Sequence, residues 1–501
     1  MTARAPDLRL YALVAAIAFA ARFVLVLRSA GPFGSYGYDS GVYYAAADAL
    51  LHGRVPYRDF VLLHPPAAML ALTPSALLGH LTTDRTGFLS AQLLFTLLGA
   101  VNAALVVDVA RRWGLPRRAA VAGGLFYAVW LGAAAAEYLS RLEPLGNFFL
   151  LLTLREAAVA ADRSGTPRRR ALIGAGVAAA LAVSTKIWFV VPAAIVLGWA
   201  AWRCRGRALG TVAAAAAATV VVLDGPFLAL SRGAMFSRVV VDQLGRKPQR
   251  MTLTGRMTEL TGAARLPGLG HQGTATATVL LAGLALLVVL VALRSRPSRL
   301  FGVLALADVA VLLAAPSWFA FYADFAALPV ALCVAGAAGA AGRLRRPQHA
   351  LAWASAAAAA AVTASVAYAG TFHATSSWHG ADRLASAVRP LRCVMSDAPS
   401  GLIELDKLDS DLSHGCPNWV DVTGRTYFGA DRSAAVRAAN RRWQRDLTRY
   451  LLSGQAAFIV RASGDGMTPA TRHAVERDGP LAGRGAVRVW ATGRRFAAGR
   501  R

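Results

Sequence analysis

Residues 36–66 read YGYDSGVYYAAADALLHGRVPYRDFVLLHPP and concentrate three carboxylates, two arginines, two histidines and five tyrosines between two apolar runs. Asp39 opens a segment with helical spacing: Val42, Ala46, Ala49 and Leu50 make one apolar face, Tyr43, Ala47 and Leu51 lie beside it, and Gly53 stops the run, so an interfacial helix lying on the outer leaflet is expected. A carboxylate at that point has two uses. It can cap the helix by accepting backbone N–H groups left open in the first turn, or it can take a proton from a hydroxyl held within hydrogen-bond reach. Spacing alone favours the cap. Asp59 is a second carboxylate, with Arg58 beside it as an ion-pair partner. His64 stands before Pro65-Pro66, where the next helix should begin. Its imidazole could bond an acceptor hydroxyl or a sugar, although a histidine at such a junction is more often structural. Pro56 restrains its neighbour, so VPYRDF is expected to run extended.

Cations gather elsewhere. Residues 231–272 hold Arg232, Arg238, Arg246, Lys247, Arg250, Arg256 and Arg265 against Asp242 and Glu259. Guanidinium forks and a lysine ammonium both bind phosphate oxygens. Arg246 and Lys247 in QLGRKPQR, with Lys186 in STKIWFVVP, are the candidates for a phosphate cradle; contact with anionic headgroups is the competing use. Glu137 and Arg141 are four apart and should form a helix-surface ion pair. Glu143 and Asn147 repeat that spacing one turn on, and Glu143 could hold a sugar or a loop arginine. Asp324 in FYADFAALP, near the outer end of an apolar run, could line the same opening. Arg22 and Asp308 lie deep in apolar runs, where charge is costly, and have no assigned role.

The elements that must position these groups are membrane spans. The chain has 501 residues, 56% hydrophobic and 16% charged, and apolar runs near the length needed to cross a bilayer recur from residue 9 to 370. The expected crossings are 9–29, 87–110, 118–136, 143–160, 171–186, 188–202, 208–230, 273–293, 299–315, 320–342 and 349–370. The first run imitates a signal peptide, with Ala18-Phe19-Ala20 as a cleavage site, but Arg22 and FVLVLR follow directly, so an uncleaved span fits better. A net charge of +27 would suggest nucleic acid in a soluble protein. Here the arginines cluster in short loops (111–118, 163–170, 203–207, 294–299 and 343–346), the pattern of cytoplasmic loops, so the charge reports topology and not nucleic-acid binding. With the N-terminus inside, about eleven crossings put residues 30–86, 231–272 and the tail outside.

The expected fold class is thus an all-α polytopic membrane protein, residues 1–370, followed by an extracytoplasmic α/β domain at 371–501. In the tail the strand-like runs RCVMSD, AAFIVRA and AVRVWAT flank a helix expected at 431–453. Cys393 and Cys416 lie in this tail, where an oxidising compartment permits a disulfide; Cys204 and Cys333 have no such partner. No CxxC or Cys/His spacing supports a cysteine metal site. Trp419 or Tyr427 could touch carbohydrate, with core packing the commoner role. Abundant arginine, scarce lysine and long alanine runs suggest a GC-rich bacterial genome, such as that of an actinobacterium.

The pattern D-x-G-x-Y, then L-x-G-x-x-P-Y-R-D-F, then a short step to P-P resembles the first external loop of GT-C glycosyltransferases, closest to bacterial members akin to glycosyltransferase families 39 and 87. RLEPLGNFFLLL (141–152) and STKIWFVVP (184–192) extend the resemblance through most of the membrane region. It implies a GT-C fold of about eleven spans and a polyprenyl-phosphate sugar as donor, most simply mannose. It further implies an envelope glycolipid, glycan or protein as acceptor, outside a bacterial plasma membrane, with membrane lipids as the surrounding partner. The first acid of the loop is the family's catalytic base, which corresponds to Asp39; here Ser40 follows it, where some members carry a second acid. Inversion would turn a β-linked donor into an α-linked product. No metal and no cofactor beyond the donor are expected. Arabinofuranosyl transfer is the alternative within the fold, and a lipid or solute transporter the alternative outside it; the lack of an internal repeat weighs against transport.

Overall fold

In a computed structural model the described residues are 8–28, 37–245, 251–266, 268–342, 381–425, 434–461, 465–484 and 487–492. The chain divides into two compact units. The first comprises Met1–Arg28, Leu93–Leu223 and Pro248–His373. The second comprises Ser29–Gln92, Asp224–Lys247 and Ala374–Arg501.

Helices dominate the first unit because its sequence is built of long alanine-, leucine- and valine-rich runs between basic loops. Among the described residues six helices are long and apolar enough to cross a membrane: Leu8–Arg28, Asp84–Arg112, Leu142–Asp162, Ile187–Cys204, His271–Arg294 and Ala320–Ala341. The chain is a multi-pass membrane protein. Arg117–Val129 and Leu131–Glu137 add a seventh span if the pair, bent by 53°, crosses as one. The expected run 208–230 divides into Ala208–Leu223 and Gly225–Leu230, and 171–186 and 299–315 fall in the helices Gly165–Thr185 and Arg299–Ala314. The crossing expected at 349–370 lies outside the described residues. Small residues bring the helices together: a Cβ on Gly176 would stand 2.6 Å from the Val212 carbonyl of the neighbouring helix. Close backbone approach of this kind replaces the hydrophobic drive that lipid removes.

The second unit joins the first loop to the tail. Its sheet has the order β1-β2-β4-β3, with β1 Val394–Ser396 parallel to β2 Ala456–Phe458, and β4 Val487–Ala491 antiparallel to both β2 and β3 Pro480–Arg484. Trp443, Leu447 and Leu451 pack with Met395 and Ala457 to form its core. The helix expected at 431–453 is two helices, Ala434–Ala439 and Arg441–Leu451. Asn440 divides them because its side chain accepts the N–H groups of Arg442 and Trp443, both at 3.1 Å, and so starts a new helix. Cys393 and Cys416 are disulfide-bonded, with Cα atoms 5.7 Å apart. Tyr427 lies outside the described residues.

Two local expectations about the loop fail. The helix Tyr38–Leu51 is buried on every side from Ser40 to Ala49, and does not lie with one face exposed. Helices Ala67–Leu81 and Pro399–Glu404 pack on it, and Gly41 permits the latter: a Cβ there would meet the Ser400 nitrogen at 2.9 Å. The segment VPYRDF is a tight turn and not an extended run. Asp59 folds back to accept the Val55 N–H at 2.7 Å, and Tyr57 sits at φ 67. Its N–H donates to the Phe60 carbonyl at 2.9 Å and its hydroxyl to the His64 carbonyl at 2.7 Å. These bonds hold a conformation that a non-glycine residue rarely takes.

Candidate functional site

Asp39 lies in the first turn of Tyr38–Leu51, half-buried. The cap position belongs to Gly37, which makes no side-chain bond. The carboxylate therefore sits inside the turn, where the helix dipole favours a negative charge. The tail grips the helix on either side of it. The Tyr38 hydroxyl donates to Asp421 Oδ1 at 2.8 Å and accepts the Thr423 N–H at 2.9 Å, and the Arg461 guanidinium lies over the Tyr38 ring at 4.4 Å. At the far end the Arg54 guanidinium donates to the carbonyl of the disulfide residue Cys416 at 2.7 Å. The helix that carries Asp39 is thus fixed at both ends.

The other two loop candidates are engaged locally. Asp59 is exposed and receives a forked pair of bonds from Arg58, both at 2.8 Å. That guanidinium holds its carboxyl below the usual range. His64 is half-buried with its ring 5.9 Å from Tyr43 in an edge contact.

In the first unit the structure brings Glu143, Lys186 and Asp324 together. Glu143 lies in the first turn of Leu142–Asp162, and Lys186 ends Gly165–Thr185. Lys186 Nζ donates to Glu143 Oε1 at 2.5 Å, and both side chains are buried. The ammonium also stands 3.9 Å above the Trp188 ring and 4.1 Å above the Tyr322 ring. Asn147, one turn along from Glu143, donates to the Asp324 carbonyl at 2.9 Å and to its Oδ1 at 3.2 Å. An ion pair, two aromatic faces and a buried carboxamide and carboxylate make a polar cluster inside an apolar bundle. Buried charges of this kind need the partners they have.

Sequence spacing misassigned Glu137. The helix Leu131–Glu137 ends at that residue, so the four-residue step to Arg141 is not a helical one. Glu137 instead receives the Arg22 guanidinium, with the Nε bond at 2.7 Å, the Tyr127 hydroxyl at 2.6 Å, and the Asn102 amide at 3.4 Å. Arg22 also donates to the Ala18 and Ala128 carbonyls, each at 2.9 Å. Arg141 lies over the Phe321 ring at 4.3 Å. The aromatic partners of Lys186 were not singled out either; WF in TKIWF and FY in FYADF were the signal.

The basic loop divides its labour. Arg238 pairs with Asp242 at 3.1 Å. Arg256 is buried and donates to three carbonyls at the end of Arg299–Ala314, those of Leu312, Leu313 and Ala315, the last at 2.6 Å. Arg265 donates to the Ala320 carbonyl at 2.7 Å and stands 3.6 Å from Glu259. Arg246 and Lys247 lie outside the described residues.

No protein-family model matches the chain, and no curated protein matches it. Solved structures do. ArnT from Cupriavidus metallidurans bound to undecaprenyl phosphate aligns over 97% of this chain and 98% of its own, at 17% identity and a TM-score of 0.60. The archaeal oligosaccharyltransferase AglB from Archaeoglobus fulgidus, in complex with an inhibitory peptide and a dolichol-phosphate, aligns over 90% of this chain and 69% of its own, at 12% identity and a TM-score of 0.58. The arabinofuranosyltransferase AftD from Mycobacteria aligns over 98% of this chain but 40% of its own, at 14% identity and a TM-score of 0.59. Likeness at this level of identity is likeness of architecture, and it extends from the first span into the tail: the chain has the GT-C fold.

Proposed function

We propose that the protein is an inverting membrane glycosyltransferase that moves a sugar from a polyprenyl-phosphate carrier to a hydroxyl of an envelope acceptor. The observation that carries this reading is the match along nearly the full length of both chains to ArnT bound to undecaprenyl phosphate. In the reaction the acceptor oxygen attacks the anomeric carbon, the bond from that carbon to the phosphate oxygen breaks, and the polyprenyl phosphate leaves with the electron pair. Asp39 takes the acceptor proton as general base. A phosphate leaves as a stable anion, so the scheme assigns no step to a metal. Lys186, Arg246 and Lys247 are assigned to the donor phosphate, with Glu143 as the ion-pair partner of Lys186. Mannose is the donor sugar to test first, on the outer face of a bacterial plasma membrane. The similarity to AftD favours arabinofuranose as the second donor to test.

The experiment is transfer from a labelled polyprenyl-phosphate sugar to candidate acceptors by purified protein, wild type against Asp39→Asn. General-base catalysis is worth about 10²–10⁴-fold, and a loss of that size in kcat with unchanged unfolding is expected. Normal transfer by a folded Asp39→Asn protein would sink the assignment. Donor-independent flux in proteoliposomes, unchanged by the substitution, would replace it with transport.

A further inference from the structure

Two histidines and an aspartate meet in the second unit and have no part in the proposed transfer. His52 follows Tyr38–Leu51 as its C-terminal cap, His80 lies in the last turn of Ala67–Leu81, and Asp409 lies in the first turn of Leu408–Ser413. His80 Nδ1 is 2.7 Å from Asp409 Oδ1, and His52 Nε2 is 3.4 Å from the same oxygen. One ligand atom from each residue lies within 4.8 Å of the other two. We propose that His52, His80 and Asp409 bind a divalent cation of the zinc type and that this ion clamps the first loop to the tail.

The donor set selects the metal. Two imidazole nitrogens and one carboxylate oxygen suit zinc with its fourth position open, whereas calcium and magnesium take oxygen ligands. The fourth position is open to water or to Ser413, whose Oγ is 3.0 Å from His52 Nε2.

The surroundings prepare the ligands. His52 Nδ1 is 2.9 Å from the Asp48 carbonyl. A carbonyl only accepts, so Nδ1 carries the proton and Nε2 presents its lone pair to the cluster. The buried Asp48 carboxylate stands 3.5 Å from the same Nδ1. A second carbonyl or carboxylate behind a ligating histidine is the usual support for such sites. Asp409 is held from behind as well. Asp84 accepts the N–H of Leu408 at 2.7 Å and of Asp409 at 3.2 Å, and its own N–H donates to Asp406 at 2.8 Å. Asp48 and Asp409 thus stand as the two carboxylates next to the imidazoles, one behind His52 and one between the two rings.

The ligands need to shift to reach tetrahedral spacing. Ligands about 2.0–2.1 Å from a tetrahedral ion stand roughly 3.3 Å apart. The His52–Asp409 separation of 3.4 Å already meets this. His80 must draw back from 2.7 Å, and its side chain is 47% exposed, with solvent to move into.

The test uses the full chain, purified in detergent without a histidine tag, stripped with a chelator, then titrated with zinc and, separately, with cobalt(II). One ion per chain, the visible absorption of tetrahedral cobalt and a higher unfolding temperature on zinc addition are expected. His80→Ala and Asp409→Asn should each weaken zinc binding by at least about tenfold and remove the cobalt absorption, while unfolding as the stripped wild type does. If either variant unfolds early without metal, His80→Asn tests the same ligand with a polar side chain retained. Failure of the wild type to bind, or equal binding by wild type and variants, overturns the proposal. These readouts are separate from sugar transfer, so the clamp and the role of Asp39 stand or fall independently.

Discussion

Lys186→Met would remove the ammonium that stands 2.5 Å from the buried Glu143 carboxylate. Leaving one member of a buried pair uncompensated costs about 3–5 kcal/mol. Thermal unfolding in detergent should show that loss, and Glu143→Gln added to Lys186→Met should recover much of it. Equal stability of the single and double variants would mean the pair is not coupled. At this scale the sequence was legible where partners are neighbours. Asp59 and Arg58 are adjacent and do pair. Arg22 and Glu137 are separated by 115 positions, and no local spacing could join them. Asp39 was legible through its position at the start of a helical pattern, although its place in the first turn rather than at the cap emerged only from the backbone.

Helix ends carry the next predictions. Arg256 closes the C-terminal turn of Arg299–Ala314 through three carbonyls. Charge-assisted bonds contribute about 1.5–3 kcal/mol each way they are lost, so Arg256→Met should lower the unfolding temperature while Arg256→Lys recovers part of the loss. In the tail, burial lifts the Glu404 carboxyl to about 8, with Arg85 opposing the rise. A carboxyl that binds its proton more tightly when folded stabilises the fold below its unfolded pKa, and that contribution is lost as pH rises from its ordinary value of 4.5 through about 8. Unfolding of the wild type should therefore move to lower temperature between pH 6 and pH 9. Glu404→Gln, which cannot ionise, should flatten that slope; an unchanged slope would remove Glu404 as its source. The helical runs were readable because their composition leaves few alternatives in lipid. The division at Asn440 and the turn at Tyr57 were not, since each depends on a side chain choosing backbone partners over solvent.

For the whole molecule, the disulfide closes a separation of 23 residues, and constraint of an unfolded loop of that size is worth about 3–4 kcal/mol. Cys393→Ser should destabilise the tail by that order. It should also loosen the first loop, because Arg54 is bonded to the Cys416 carbonyl; hydrogen exchange across residues 38–56 reads this directly. Protection there identical to wild type would show that the loop does not depend on the disulfide. Orientation has its own test: a cysteine placed at the exposed Arg389 position of the tail should label from outside intact cells, and labelling from the cytoplasmic side alone would invert the topology.

Composition and the period of apolar runs determined that this chain is a helical membrane protein with a small α/β tail, because lipid admits few backbone solutions and hydropathy records them. Adjacent residues and local motifs determined the loop helix and the position of Asp39 at its start, but not the turn that follows, which the sequence reads as extended. Tertiary structure alone decided which distant groups meet: Glu143 with Lys186, Glu137 with Arg22, and His52 with His80 and Asp409. It also decided that the first loop and the tail share one compact unit. The reason is physical. Burial and pairing energies depend on distances in space, and a sequence states only distances along the chain.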